Sequence, residues 1–197
     1  MKEQTISSFL SQEELSSAGF KYIGSNVRIS ARASIYNAGN ISIDDNSRID
    51  DFCILSAGKN GIEIGRHVHI GCYSSLLGKG KIVIGDFSGL SARVSIFSSN
   101  DDFSGKVLSG PTVDPKYTNV RIADVIIKKH VMIGAGSIIL PGITIYEGGA
   151  VGALSLVTKD VKEFSLVCGN PARYFKNRSR EVLMMEEKFK TEVEKKG

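Results

Sequence analysis

The stretch IKKHVMIGAGSIILPGITIYEGGAVGALSLV, residues 127–157, places a branched aliphatic at every sixth position: Ile127, Ile133, Ile139, Ile145, Val151 and Val157. An α-helix repeats its apolar face every three and four residues, and a half-buried strand every two. A period of six fits neither. It fits a solenoid of short strands joined by tight corners, with one inward aliphatic on each side of a triangular coil.

The register extends upstream. One side carries Ile23, Ile43, Ile64, Ile84, Ile127 and Ile145; the second, Ile29, Ile49, Ile70, Leu90, Ile133 and Val151; the third, Ile35, Leu55, Leu76, Ile96, Ile139 and Val157. Within a coil each step is six residues, which gives about six coils over residues 21–170. From third side to next first side the steps are 8, 9, 8, 31 and 6 residues, so insertions enter at one corner. The large one leaves the solenoid as a loop of about Ser98–Ile122, and loops this long inside a regular domain are usually functional or disordered. Gly often follows the inward aliphatic (Gly24, Gly65, Gly71, Gly85, Gly134, Gly152), where a corner needs a small residue or unusual φ.

Helical segments are expected on both flanks. In an arm of residues 1–20, Ser11 and Glu14 have capping-box spacing. In a terminal segment of residues 171–197, Asn177–Lys195 reads as a helix with an apolar stripe of Val182, Met185, Phe189 and Val193, expected to cap the last coil.

Composition narrows the function classes. Twenty-five basic against 21 acidic residues leave a net charge of +4, with no dense basic run interleaved with aromatics, which is poor support for nucleic-acid binding. Cys53, Cys72 and Cys168 are odd in number and lack CxxC spacing, as in a reduced cytoplasmic protein. The first residues have no apolar run of signal-peptide length, and no stretch approaches a membrane span.

The run Ile133-Gly134-Ala135-Gly136-Ser137-Ile138-Ile139-Leu140-Pro141-Gly142-Ile143-Thr144-Ile145, then Val151-Gly152-Ala153-Leu154-Ser155-Leu156-Val157-Thr158-Lys159-Asp160 and Gly169-Asn170-Pro171-Ala172-Arg173, resembles the hexapeptide-repeat acyltransferases. The ending is similar to the maltose and galactoside O-acetyltransferases. The opening, Phe20-Lys21-Tyr22-Ile23-Gly24 and Arg48-Ile49-Asp50-Asp51-Phe52-Cys53, is similar to a branch that includes N-acetyltransferases of nucleotide-linked amino sugars in surface-polysaccharide (lipopolysaccharide) biosynthesis. The resemblance implies a left-handed parallel β-helix, a homotrimer with active sites between subunits, and acetyl-CoA as acyl donor.

It also implies roles for residues. Ala135, Gly136, Gly152 and Ala153 match positions along the pantetheine arm of CoA. Lys159 and Arg173 match positions near its phosphates, which need cationic donors, with Lys176 and Arg178 as weaker candidates. Met132 stands where many relatives carry Trp. In the O-acetyltransferase branch a catalytic His lies five residues after an inward aliphatic, at the root of the long loop. Here that aliphatic is Ile96 and the residue is Asp101; the loop holds no His.

Two readings of the base follow. Asp101 or Asp102 suits an amine acceptor, because a carboxylate can hold an ammonium and take its proton; the bland reading is an Asx turn. Alternatively His69, outward beside Ile70, is the base. It belongs to a column of Arg28, Arg48, His69, Gly89, Met132 and Ala150, whose arginines suit acceptor phosphates; Asn100, at the loop root, is a further acceptor contact. His67 and His130 read as surface corner residues about 10 Å apart, two coils at strand spacing, and no metal site is expected. The expected function is acetyl transfer from acetyl-CoA to a sugar, with a nucleotide-linked (dTDP or UDP) amino sugar favoured over a sugar hydroxyl, and a non-catalytic solenoid as the alternative from another class.

Overall fold

The computed structural model describes residues 9–194, so residues 1–8 of the expected N-terminal arm and Lys195 of the expected helix lie outside the described residues. The chain winds into a parallel β-solenoid whose three faces are separate sheets. The inward aliphatics pair across coils in the register that the spacing predicts. Ile23, Ile43, Ile64, Ile84, Ile127 and Ile145 follow one another up the first face. The second runs from Ile29 to Val151 and the third from Ile35 to Val157 in the same way. These side chains make one continuous core along the axis.

Two details go beyond the six-residue step. First, the extra residues at the third corner partly lengthen the first face. Ile41, Ile62, Ile82 and Val125 pair with one another and are buried, a second inward column two residues ahead of the first. Second, there is a seventh coil of two sides. Val161 bridges Ile145, and Ser165–Cys168 pairs in parallel with Ala150–Val151. Val161 follows Val157 by four residues rather than six, which hides this coil from a search at constant spacing.

The corners differ from expectation in where they store positive φ. It falls three residues after the inward aliphatic, at Asn26, Asn46, His67, Phe87 and His130 on one corner and at Phe52, Tyr73, Arg93 and Leu154 on the next. The glycine directly after the aliphatic is needed for room. A Cβ at Gly134 would lie 2.5 Å from the Ala153 nitrogen of the coil above. Buried serines then tie successive coils: Ser47 Oγ donates to the Gly65 carbonyl (2.7 Å) and accepts from Val68 N–H (3.0 Å), and Ser88 and Ser137 repeat the device. A hydroxyl that both gives and takes leaves no buried polar atom unpaired.

Helix α1, Gln12–Ser17, starts at the expected capping box: Ser11 Oγ accepts from Glu14 N–H, and Glu14 accepts from Ser11 N–H. Helix α2 spans Glu181–Glu194, four residues later than expected, because Arg173–Asn177 instead forms a strand antiparallel to Ser165–Cys168. Among the described residues no helix is long and apolar enough to cross a membrane.

Candidate active site and donor cleft

The outward column on the second face is realised: Arg28, Arg48, His69, Gly89, Met132 and Ala150 stand in consecutive register. Its lower end is already organised. Asp50, absent from the sequence-based candidates, takes Arg48 Nε on one oxygen (2.6 Å) and His69 Nε2 on the other (2.8 Å). Burial disfavours the Asp50 charge, but hydrogen bonds and charge from His69 and Arg48 outweigh it and hold the carboxyl below its ordinary value. An ionised carboxylate only accepts, so His69 donates through Nε2 and leaves Nδ1 for a ligand. The arginines also carry an aromatic lid. Phe9 bridges Ser30, and its ring lies 4.2 Å from the Arg28 guanidinium carbon and 5.2 Å from that of Arg48. Higher up, Met132 leans over Gly89, where a Cβ would lie 2.9 Å from its sulfur.

The long loop leaves through a two-rung antiparallel neck, Ser99 opposite Ile122 and Asn100 opposite Arg121. Beyond it the two aspartates differ. Asp102 accepts from Ser104 N–H (2.6 Å) and from Asn119 Nδ2 (2.9 Å), so the Asx-turn reading holds for it. The hydroxyl and backbone N–H of Ser104, with the Asn119 amide, hold its carboxyl below its ordinary value. Asp101 is different: among the described residues its carboxylate has no hydrogen-bond or ion-pair partner. It is half-buried and lines a cleft with Lys79, Asn100, Pro111, Val113 and Val120. Asn100 spends its amide on the Asp101 carbonyl (3.0 Å) and so shapes this root.

On the late coils Ala135 and Ala153 are exposed at successive corners, joined by Leu154 N–H donating to the Ala135 carbonyl. Gly136 has φ of 71°, a requirement of the corner itself. Gly152 answers to packing as well, since a Cβ there would lie 2.8 Å from that of Cys168. Lys159 and Arg173 line one cleft at the end of the solenoid, with Lys162, Asp160, Glu163 and Tyr174.

No family model matches the chain. A dTDP-4-amino-4,6-dideoxy-D-glucose acyltransferase of Escherichia coli is 48% identical over 182 residues, which are 92% of this chain and 95% of that protein. The chain belongs to the hexapeptide-repeat nucleotide-amino-sugar acyltransferases. Solved structures agree. A serine variant of AntD, an N-acyltransferase from Bacillus cereus, in complex with dTDP-4-amino-4,6-dideoxyglucose and coenzyme A, is 46% identical with a TM-score of 0.91, over 95% of this chain and 99% of that one. AntD with dTDP and 3-hydroxybutyryl-CoA is 45% identical with a TM-score of 0.89, over 96% and 100%.

Elsewhere this acyltransferase departs from the sequence-based reading. His130 is a core residue, not a surface one: it is 3% exposed, and its Nε2 lies 2.6 Å from Glu186 of α2. Lys129 and Lys190 also bind Glu186, and together they bring that carboxyl down to about 2 although burial opposes its charge. His67 stacks on Phe87 and Phe87 on His130, with Phe189 set edge-on against the first two rings. Helix α2 of the acyltransferase therefore lies against a corner of the middle coils, and does not cap the last one. Of its predicted stripe, Met185, Phe189 and Val193 remain exposed. Arg178 is not available to a phosphate, because its guanidinium binds the carbonyls of Gly148, Gly149 and His130.

Proposed function

We propose that this acyltransferase transfers an acyl group, acetyl in the simplest case, from CoA to the amino group of a dTDP-linked 4-amino-4,6-dideoxy sugar. The observation that carries the reading is the carboxylate of Asp101, unpartnered among the described residues, at the position where the resemblance to the O-acetyltransferases implies a histidine. A carboxylate held open in a cleft suits an ammonium, which it binds and from which it takes a proton. The free amine then attacks the thioester carbonyl, the C–N bond forms, the C–S bond breaks, and the departing CoA thiolate takes the second nitrogen proton to leave as the thiol. Asp102, tied on both oxygens, is left as a loop residue. The likeness to AntD supports the choice. Its solved variants replace one serine or an aspartate ten residues beyond it. Ser91 and Asp101 have this spacing, and the near end-to-end match of the two chains favours reading them as the counterparts.

The rest of the site follows. Arg28 and Arg48 face the acceptor diphosphate, His69 stands above them in the same column, and Asn100 fixes the backbone beside Asp101. Ala135, Gly136, Gly152 and Ala153 line the pantetheine path, while Lys159 and Arg173 meet CoA phosphates. The assembly is a homotrimer with sites between subunits, cytoplasmic, and serves surface-glycan biosynthesis. The Asp50–His69 bond favours a second reading, in which His69 is the base and Asp50 orients it.

A free-thiol release assay with acetyl-CoA, against dTDP- and UDP-amino sugars and unmodified sugars, tests the function. Turnover on the dTDP-4-amino sugar is expected. Turnover only on hydroxyl acceptors overturns the proposal.

A further inference from the structure

We propose that Asn119 is a positioning residue that aims Asp101 by holding Asp102, an inference that rests on the assignment of Asp101 as the group that meets the amine. The loop neck pairs Ser99 with Ile122 and Asn100 with Arg121. Continued in the same antiparallel register, Asp101 falls opposite Val120 and Asp102 opposite Asn119. No backbone rung is formed there. The bond from Asn119 Nδ2 to Asp102 Oδ2, 2.9 Å, takes its place. Asp101 is thus the single residue strung between the last backbone rung and this side-chain rung.

The two bonds sort the aspartates. Asp102 is held toward Asn119, with its other oxygen fixed by Ser104 N–H at 2.6 Å, while Asp101 and Val120 line the cleft with Lys79, to which neither Asp102 nor Asn119 contributes. The loop adds one long bond to Asp102, from the Ser109 hydroxyl to its carbonyl at 3.4 Å. Beyond the neck its limbs meet at the isolated Leu108–Thr118 bridge, and Phe103, beside Asp102, is 90% exposed. Without the cross-loop bond the carboxylate of Asp101 would sample directions away from the cleft, and a catalytic group displaced by about 1 Å costs up to a hundredfold.

The test is a double-mutant cycle by thiol release, with acetyl-CoA and dTDP-4-amino-4,6-dideoxyglucose. Asn119→Ala is expected to lower kcat by about ten- to a hundredfold with KM for acetyl-CoA unchanged. In the Asp101→Asn background the same change is expected to have no further effect. The exchanged pair Asp102→Asn with Asn119→Asp keeps both the cross-loop bond and the acceptor for Ser104, and is expected to recover most of the activity. Full activity in Asn119→Ala alongside loss in Asp101→Asn overturns the positioning role. So does an equal loss in both backgrounds, which marks a merely structural contact. Full activity of Asp101→Asn alone removes the underlying assignment, and this inference with it.

Discussion

His130 Nε2 meets Glu186 at 2.6 Å across 56 residues of sequence, with both side chains almost wholly buried. Lys129 and Lys190 complete the cluster, and the Glu186 carboxyl falls from 4.5 to about 2. A depressed carboxyl stabilises the fold above its unfolded pKa, and that stability is lost as pH falls from about 4.5 toward 2. Full linkage would be on the order of 3 kcal/mol, and about 2 after discounting for the half-exposed lysines. Glu186→Gln is therefore expected to lower Tm by several degrees at neutral pH. The gap from the parent should close between pH 4.5 and 2 in thermal scans; a gap independent of pH would show that the charge contributes nothing.

Neighbouring aspartates with opposite environments should respond differently. Asp101→Asn is expected to lower kcat at least a hundredfold with an unchanged Tm, by analogy with the loss of other catalytic acid–base groups. Asp102→Asn keeps the acceptor for Ser104 but faces the Asn119 amide with an altered partner, and a smaller loss is expected. Steady-state thiol release on one acceptor ranks the two, and the reverse order would reassign the site.

The Arg48–Asp50–His69 cluster separates binding from chemistry. If His69 contacts the acceptor without taking its proton, His69→Ala raises the acceptor KM about tenfold and spares kcat, whereas a base would lose kcat. Asp50→Asn should follow His69→Ala in whichever parameter moves. The pairs are surface-exposed on the basic side, so Tm should change by less than about 1 kcal/mol would produce.

At the donor end, Lys159→Ala and Arg173→Ala should each raise the KM for acetyl-CoA about tenfold, as expected for loss of a charge-assisted contact. The acceptor KM is expected to stay put, and 3′-dephospho-CoA should blunt the effect of whichever side chain meets that phosphate. Binding unchanged by both substitutions, in titration calorimetry, would dissociate this cleft from CoA.

Gly134 tests the packing of the coils. An added methyl would meet the backbone of Ala153 and Gly152, which cannot swing aside as a side chain would. Gly134→Ala is expected to cost about 1–3 kcal/mol, the usual penalty of overpacking, read as a drop in Tm.

Much of the molecule was legible because its core is periodic. Each of the 18 inward aliphatics from Ile23 to Val157 pairs in the register that the spacing predicts, because a side of fixed length lets a residue number stand for a position in space. Where the period changes, legibility stops. Val161 comes early and conceals a coil, and the column from Ile41 to Val125 passes for corner residues. The site was legible only as columns. Spacing put His69 over Arg48, but Asp50 sits at a turn after the inward Ile49, where no period says which way it points. Asp101 and Asp102 look alike in sequence, and what separates them is Asn119, 17 residues on and aligned only by the loop's return. Glu186 finds His130 by a helix docking that has no local signature.

The second face has a consequence for life at high concentration. A β-solenoid presents its last rungs as open templates, ready to recruit another chain and grow end to end. On this face both ends are turned back. At the start, Phe9 bridges Ser30 in antiparallel sense and Leu10 N–H donates to the Ile29 carbonyl; at the finish, Arg173–Asn177 runs against Ser165–Cys168. The two short reversals work as terminators. On this face, a repeat with no intrinsic length limit is given one.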